Sequence, residues 1–245
     1  MDAYQILAWD SDFFGFTVAR ISSTHCDAGQ LGSILTVLRN QRVRLAYWST
    51  SETLDQVQRD SVTALGGRFV DEKTTFLIDL KSNGDSAKQS VKIDVLVEEY
   101  NPGMSQAELR ALAIQSGEYS RYAVDPNIPR AKFEELYTIW MDKSLTKEMA
   151  EEVFVIRNMG EQAVGMTTAG KKANRGDIGL VAVDSNFRGR QYGELLVRHA
   201  LHWFDIHEYR YVQVVTQGTN MAACRLYSKC GFAVEKEELF YHFWL

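Results

Sequence analysis

Val181-Ala182-Val183-Asp184-Ser185-Asn186-Phe187-Arg188-Gly189-Arg190-Gln191-Tyr192-Gly193 is the stretch whose reading decides the fold. It reads as a strand (Ile178 to Val183), a Gly/Arg-rich turn with no acidic side chain between Arg188 and Gly193, and the entry to an amphipathic helix. A helix start offers up to four unpaired amides and roughly half a positive charge. Arg188 and Arg190 add charge, and Gly193 lets backbone come close to a ligand. Such a turn can face a diphosphate, although a Gly/Arg turn before a helix is by itself more often a surface loop. Downstream, Tyr211 to Thr216 reads as a second strand, and a second helix opens at Asn220 and carries Tyr227. Their spacing is about two turns at ~3.6 residues per turn, so an N-cap Asn and a Tyr share one face and address one ligand.

The rest of the chain surrounds this stretch with α/β structure. Lys81-Ser82-Asn83-Gly84-Asp85-Ser86-Ala87-Lys88-Gln89-Ser90 is polar throughout and lies between apolar runs, which divides the chain into residues 1–80, a linker 81–90 and residues 91–245. In the first part Phe16 to Ser22, Arg44 to Ser49 and Arg68 to Leu80 read as strands, and Cys26 to Arg39 and Glu52 to Leu65 as helices. The second part opens with a strand from Val91 to Glu98. Helices follow at Ser105 to Ser116, where Ser105 and Glu108 fit a capping box, and from Arg130 to Lys143. Then come strands at Val153 to Arg157, Ala163 to Ala169 and Ile178 to Val183, with Arg175-Gly176-Asp177 as a turn. A faint repeat relates Leu65-Gly66-Gly67-Arg68-Phe69-Val70 to Cys230-Gly231-Phe232-Ala233-Val234; both end a helix at glycine and lead to an expected hairpin. The first part is therefore read as a partial, degenerate copy of the second. An aromatic strand from Tyr241 to Leu245 suggests an exposed edge for a homodimer.

Composition excludes more than it selects. A chain of 245 residues, 45% hydrophobic and with net charge −5, has the composition of a globular protein and is a poor general binder of nucleic acid. Cys26, Cys224 and Cys230 are odd in number and form no Cys-x-x-Cys, so they read as idle thiols in a reducing compartment. His199 and His202 have no carboxylate or Cys to complete a metal site, and none is expected. No apolar run reaches the ~20 residues of a membrane span, and the N-terminus lacks a signal-peptide pattern, so a cytoplasmic location is expected.

The turn at Arg188 to Gly193, with Asn220 and Leu226-Tyr227-Ser228-Lys229-Cys230-Gly231-Phe232, resembles the acyl-CoA signature of the GNAT acetyltransferases. That resemblance implies a mixed central sheet flanked by helices, preceded by a small GNAT-like α/β domain. It also implies acetyl-CoA as co-substrate, held by Val181, Val183, Arg188, Gly189, Arg190, Gln191, Tyr192, Gly193 and Asn220, and Tyr227 as the acid that protonates the departing thiolate. Gln191 departs from the family pattern, standing where the first of two paired glycines is usual. The turn must take another path or accept a positive φ at about 1–2 kcal/mol. Amine attack needs a neutral nitrogen and amide donors for the carbonyl oxygen; Glu98, Glu118, Asp125 and Asp177 are the candidate bases.

For the acceptor, Trp9-Asp10-Ser11-Asp12-Phe13-Phe14-Gly15, Ser120-Arg121-Tyr122 and Val215-Thr216-Gln217-Gly218-Thr219-Asn220 resemble the bacterial TDP-fucosamine acetyltransferases. This implies N-acetylation of a small-molecule amine, a nucleotide-linked amino sugar for surface polysaccharide. Phe13 and Phe14 can stack on a base or sugar, and Arg121 beside Tyr122 can pair with a diphosphate. Other acceptors, such as a peptide amine, and a non-catalytic CoA-binding role are the competing readings.

Overall fold

The computed structural model describes residues 2–82 and 95–245. The chain divides into two compact units, Met1–Lys73 with Lys236–Leu245, and Thr74–Glu235. These differ from the 1–80 and 91–245 division because two long strands, β4 (Gly67–Asp79) and β10 (Ala233–Trp244), each supply residues to both units. Of the expected linker 81–90, only Lys81 and Ser82 lie among the described residues.

Unit 1 runs β1 (Tyr4–Ile6), α1 (Ala8–Phe14), β2 (Val18–Ile21), α2 (Ala28–Asn40), β3 (Leu45–Thr50) and α3 (Gln56–Ala64), with sheet order β1-β2-β3-β10-β4. Leu31, Leu35 and Leu38 recur along one face of α2 and are buried with Ala46, Trp48 and Phe243. Both larger helices are closed at their starts by reciprocal capping boxes, Asp27 with Gln30 and Asp55 with Gln58. The C-terminal strand β10 lies between β3 and β4, pairing antiparallel with β3 from Leu239↔Thr50 to Trp244↔Leu45. It therefore presents no free edge, which removes the reason given for a dimer there. The expected hairpins after Gly66 and Gly231 are single strands of 13 and 12 residues.

Unit 2 contains β5 (Val97–Glu99), α4 (Gln106–Ser116), the single turn α5 (Arg121–Val124), α6 (Arg130–Leu145), β6 (Glu152–Arg157), β7 (Ala163–Lys172), β8 (Arg175–Val183), α7 (Tyr192–Ile206), β9 (Tyr211–Gln217) and α8 (Met221–Lys229). Its mixed sheet has the order β4-β9-β8-β7-β6-β5. Leu109, Leu112 and Met141 of α4 and α6 pack with Val153, Val155, Met166 and Ala182 in one core. Leu196, Val197, Ala200, Leu201 and Phe204 of α7 pack with Phe154, Ile178, Val212 and Tyr227 in another, so helices cover both faces. The turn placed by sequence at Arg175-Gly176-Asp177 is instead the start of β8. The reversal is at Ala173 and Asn174, with Ala173 at φ +55°. Gly176 answers a packing need, since a Cβ there would lie 2.7 Å from the Phe204 ring. Ser105 caps α4 through Glu108 N, but the Glu108 carboxylate accepts from Ala163 N at 2.8 Å and so ties α4 to β7. No helix among the described residues is long and apolar enough to cross a membrane.

Candidate active site

β8 and β9 run parallel, but their ladder covers only Gly176↔Val212, Asp177↔Gln213 and Ile178↔Val214. Beyond it β8 stays with β7: Leu180 N donates to Thr168 Oγ1 at 2.9 Å and Asp184 N to Val164 O at 2.9 Å. Amides alternate between the two edges of a strand. Those of Val181 and Val183 therefore point the other way, to the edge that β9 has left. Two donors thus face an opening floored by the Val181 and Val183 side chains.

The turn after β8 explains what Gln191 does. Gly189 has φ +78° and Gln191 φ +63°, so Gln191 takes up the left-handed conformation at a cost of about 1–2 kcal/mol. As N-cap of α7 it makes no side-chain capping bond. The first-turn amides are left for something else. Arg188 Nε donates to Val183 O at 3.1 Å, which fixes the turn on the end of β8. Arg190 lies over the Phe187 ring at 5.0 Å. A Cβ on Gly193 would sit 3.2 Å from Leu226 Cδ2, so this glycine also sets how closely α7 approaches α8.

On α8, Asn220 caps the helix, its Oδ1 accepting from Ala223 N at 3.2 Å, and its Nδ2 is still able to donate. Tyr227 is two turns further along and 5% exposed, with its ring near Phe76 and Phe232. Burial, with added repulsion from Cys230 and Cys224, pushes its pKa well above the usual phenol value. The hydroxyl makes no hydrogen bond to another side chain among the described residues. Burial likewise pushes the Cys230 thiol up to about 11.

A cleft of about 450 Å³ gathers these groups. Val181, Val183, Arg188, Gly189, Gln191, Tyr192, Gly193, Asn220 and Tyr227 line it; Arg190 does not. Sequence reasoning missed Gln115, Ser116 and Tyr119 at the end of α4, and Glu194 and Lys229 beside the motif residues, all of which also line it. Tyr119 directly precedes the Ser120-Arg121-Tyr122 segment, a signal that was within reach. Arg121 and Tyr122 pair with each other, Nη2 to the phenol oxygen at 2.6 Å, and Tyr122 abuts Trp140, away from the lining. Phe13 and Phe14 belong to unit 1, in an aromatic run from the exposed Trp9 through the half-buried Phe16 to Trp244.

None of the four candidate bases lines the cleft. Glu98 is held by Arg157 at 3.0 and 2.7 Å, which keeps its carboxyl below the usual range. Asp177 accepts from Gln213 Nε2 at 2.7 Å, Asp125 from Asn127 N at 3.0 Å, and Glu118 lies 3.9 Å from Arg130. His199 packs edge-on against Phe154, and burial lowers its pKa.

A splayed parallel pair, an uncapped helix start at the strand end, and an Asn–Tyr helix face beside it meet in this one cleft. Residues 116–232, just under half of the chain, match the family model "Acetyltransferase (GNAT) family". Among curated proteins, it is 29% identical over 143 residues to the spore coat polysaccharide biosynthesis protein SpsD of Bacillus subtilis (strain 168). That match covers 58% of this chain and 48% of SpsD, so the chain spans about half the length of this relative. Among solved structures, a functionally unknown conserved protein from Staphylococcus epidermidis ATCC 12228 superposes with TM-score 0.70 at 14% identity, over 100% of this chain and 92% of that one. The GCN5-related N-acetyltransferase from Sphaerobacter thermophilus gives 0.63 at 15%, over 98% and 75%. At such identities these two show the fold alone.

Proposed function

We propose that the chain is an acetyl-CoA-dependent N-acetyltransferase whose acceptor is the primary amine of a nucleotide-linked amino sugar. One observation carries the reading: the open β8 edge, the uncapped α7 start and the Asn220–Tyr227 face line a single cleft. The first-turn amides of α7, with Arg188, hold the diphosphate; Asn220 Nδ2 and the Val183 amide, the one nearer the turn, hold the amide-rich arm. When bound, the co-substrate supplies an acetyl thioester. The Val181 amide, further along β8 from the turn, donates to its carbonyl oxygen as negative charge builds there. The amine nitrogen bonds to the carbonyl carbon as the C–S bond breaks and Tyr227 gives its proton to the sulfur; the proton shed by the nitrogen passes to water, and the Tyr227 phenolate regains one from water. A phenol raised by burial remains protonated at neutral pH. The leaving sulfur is desolvated too and becomes a stronger base, as the Cys230 thiol illustrates.

The acceptor half rests on the likeness to SpsD, whose name assigns it to polysaccharide biosynthesis, and on the sequence resemblance to nucleotide-sugar acetyltransferases. Unit 1 is read as a degenerate copy of the acetyltransferase fold. Both Gly66 (φ +89°) after α3 and Gly231 (φ +95°) after α8 end a helix and lead into a long strand. The test is CoA thiol release from acetyl-CoA with TDP- and UDP-amino sugars, peptides and polyamines. An amino sugar is expected to be turned over, and Tyr227→Phe to lower kcat by on the order of 10²-fold. Turnover of a peptide with no sugar would overturn the acceptor, and undiminished Tyr227→Phe activity would overturn the acid.

A further inference from the structure

Glu194 is an acid in the first turn of α7 and lines the cleft beside Tyr192 and Gly193. A free carboxylate there would repel a diphosphate and compete with it for the same amides. Glu194 is only 9% exposed, however, and both its oxygens are held by cations. Arg198 Nε, one turn further along α7 and itself 6% exposed, meets Oε1 at 3.0 Å. Lys229 Nζ, from the last residue of α8, meets Oε2 at 2.6 Å. Arg198 Nη2 also donates to the Lys229 carbonyl at 3.1 Å. The three residues tie the beginning of α7 to the end of α8, across the cleft wall.

We propose that Arg198 and Lys229 are positioning residues for the donor, neutralising Glu194 so that the open start of α7 attracts an anion while α7 stays in register with α8. This rests on the donor reading above. Lys229 is the residue to probe, because its side chain is 58% exposed and its loss leaves the core packing in place.

The experiment is calorimetric titration of CoA into wild type, Lys229→Met, Lys229→Arg, Glu194→Gln and the double variant Glu194→Gln/Lys229→Met, at low and high salt. Pantetheine, which lacks the diphosphate, is the control ligand, and thermal melting checks folding. Lys229→Met is expected to weaken CoA about tenfold at low salt and less at high salt, while pantetheine binding is unchanged. Lys229→Arg should retain wild-type affinity. The double variant should return to within about threefold of wild type, because the uncompensated charge is gone. A double variant as weak as Lys229→Met would mean that Lys229 touches the ligand itself, and would overturn the proposal. So would an equal loss for pantetheine, which marks a purely structural role, or no loss in a folded Lys229→Met. Failure of the wild-type protein to bind CoA would instead overturn the donor reading, and this inference with it.

Discussion

Helices α2 and α3 of unit 1 and helix α7 of unit 2 begin in opposite ways. In α2 the Asp27 carboxylate accepts from Gln30 N at 2.8 Å while Gln30 Oε1 accepts from Asp27 N at 3.1 Å. In α3 Asp55 and Gln58 do the same, at 2.8 Å each. These starts are closed by their own side chains and carry a negative charge, which stabilises the helix and excludes an anion. Helix α7 begins at a Gln in the left-handed region with no capping bond, between two arginines and a glycine. Local stability has been given up at one helix start, and that start opens on the cleft. The contrast teaches that a missing cap, at the end of a strand whose neighbour has splayed away, marks a ligand site more sharply than the glycine pattern does.

The contrast can be broken at several points. Gly193→Val should have the largest effect, since its Cβ meets Leu226 Cδ2 at 3.2 Å and the added side chain also intrudes on the cleft that Gly193 lines. Chemical denaturation should show a loss of about 1–3 kcal/mol, and CoA titration a weaker complex. Gln191→Asp gives α7 the acidic start of the unit 1 helices; CoA affinity should fall about tenfold with stability changed by less than about 1 kcal/mol. Conversely, Asp27→Ala or Asp55→Ala should each cost about 1 kcal/mol in denaturant melts and leave CoA affinity untouched.

A smaller effect separates the two doubly paired carboxylates. Glu238 of unit 1 is held by Lys73 at 3.2 Å and Lys236 at 2.8 Å. Burial acts to raise its pKa, but the two lysines outweigh burial and leave it lowered. A carboxylate depressed in the folded state contributes stability above its unfolded pKa of about 4.3, and loses it as pH falls through the folded value. Melting temperature should therefore drop less between pH 5 and pH 3 in Glu238→Gln than in wild type.

Much of this was legible in the sequence because it is local. The strand, turn and helix from Ile178 through Tyr227 have strong periodicity, and Gln191 stood out as the residue that would have to adopt a positive φ. What escaped depends on tertiary partners. Gly176 looked like a turn residue because Phe204, which requires it, is 28 positions away in sequence. Glu194 and Lys229 drew no reading of their own, because nothing local reveals a salt bridge between two helices. The short helix α1 has no side-chain cap and no buried residue, so neither a start signal nor an apolar stripe announced it.

The most direct measurement is residue-resolved amide hydrogen exchange with and without CoA. Binding at the open helix start predicts slower exchange at Tyr192, Gly193 and Glu194, with Val181 and Val183 protected as well, and no change at Gly29, Gln30 or Leu31 of α2. Unchanged exchange at Tyr192 to Glu194 in a protein that binds CoA would contradict the account.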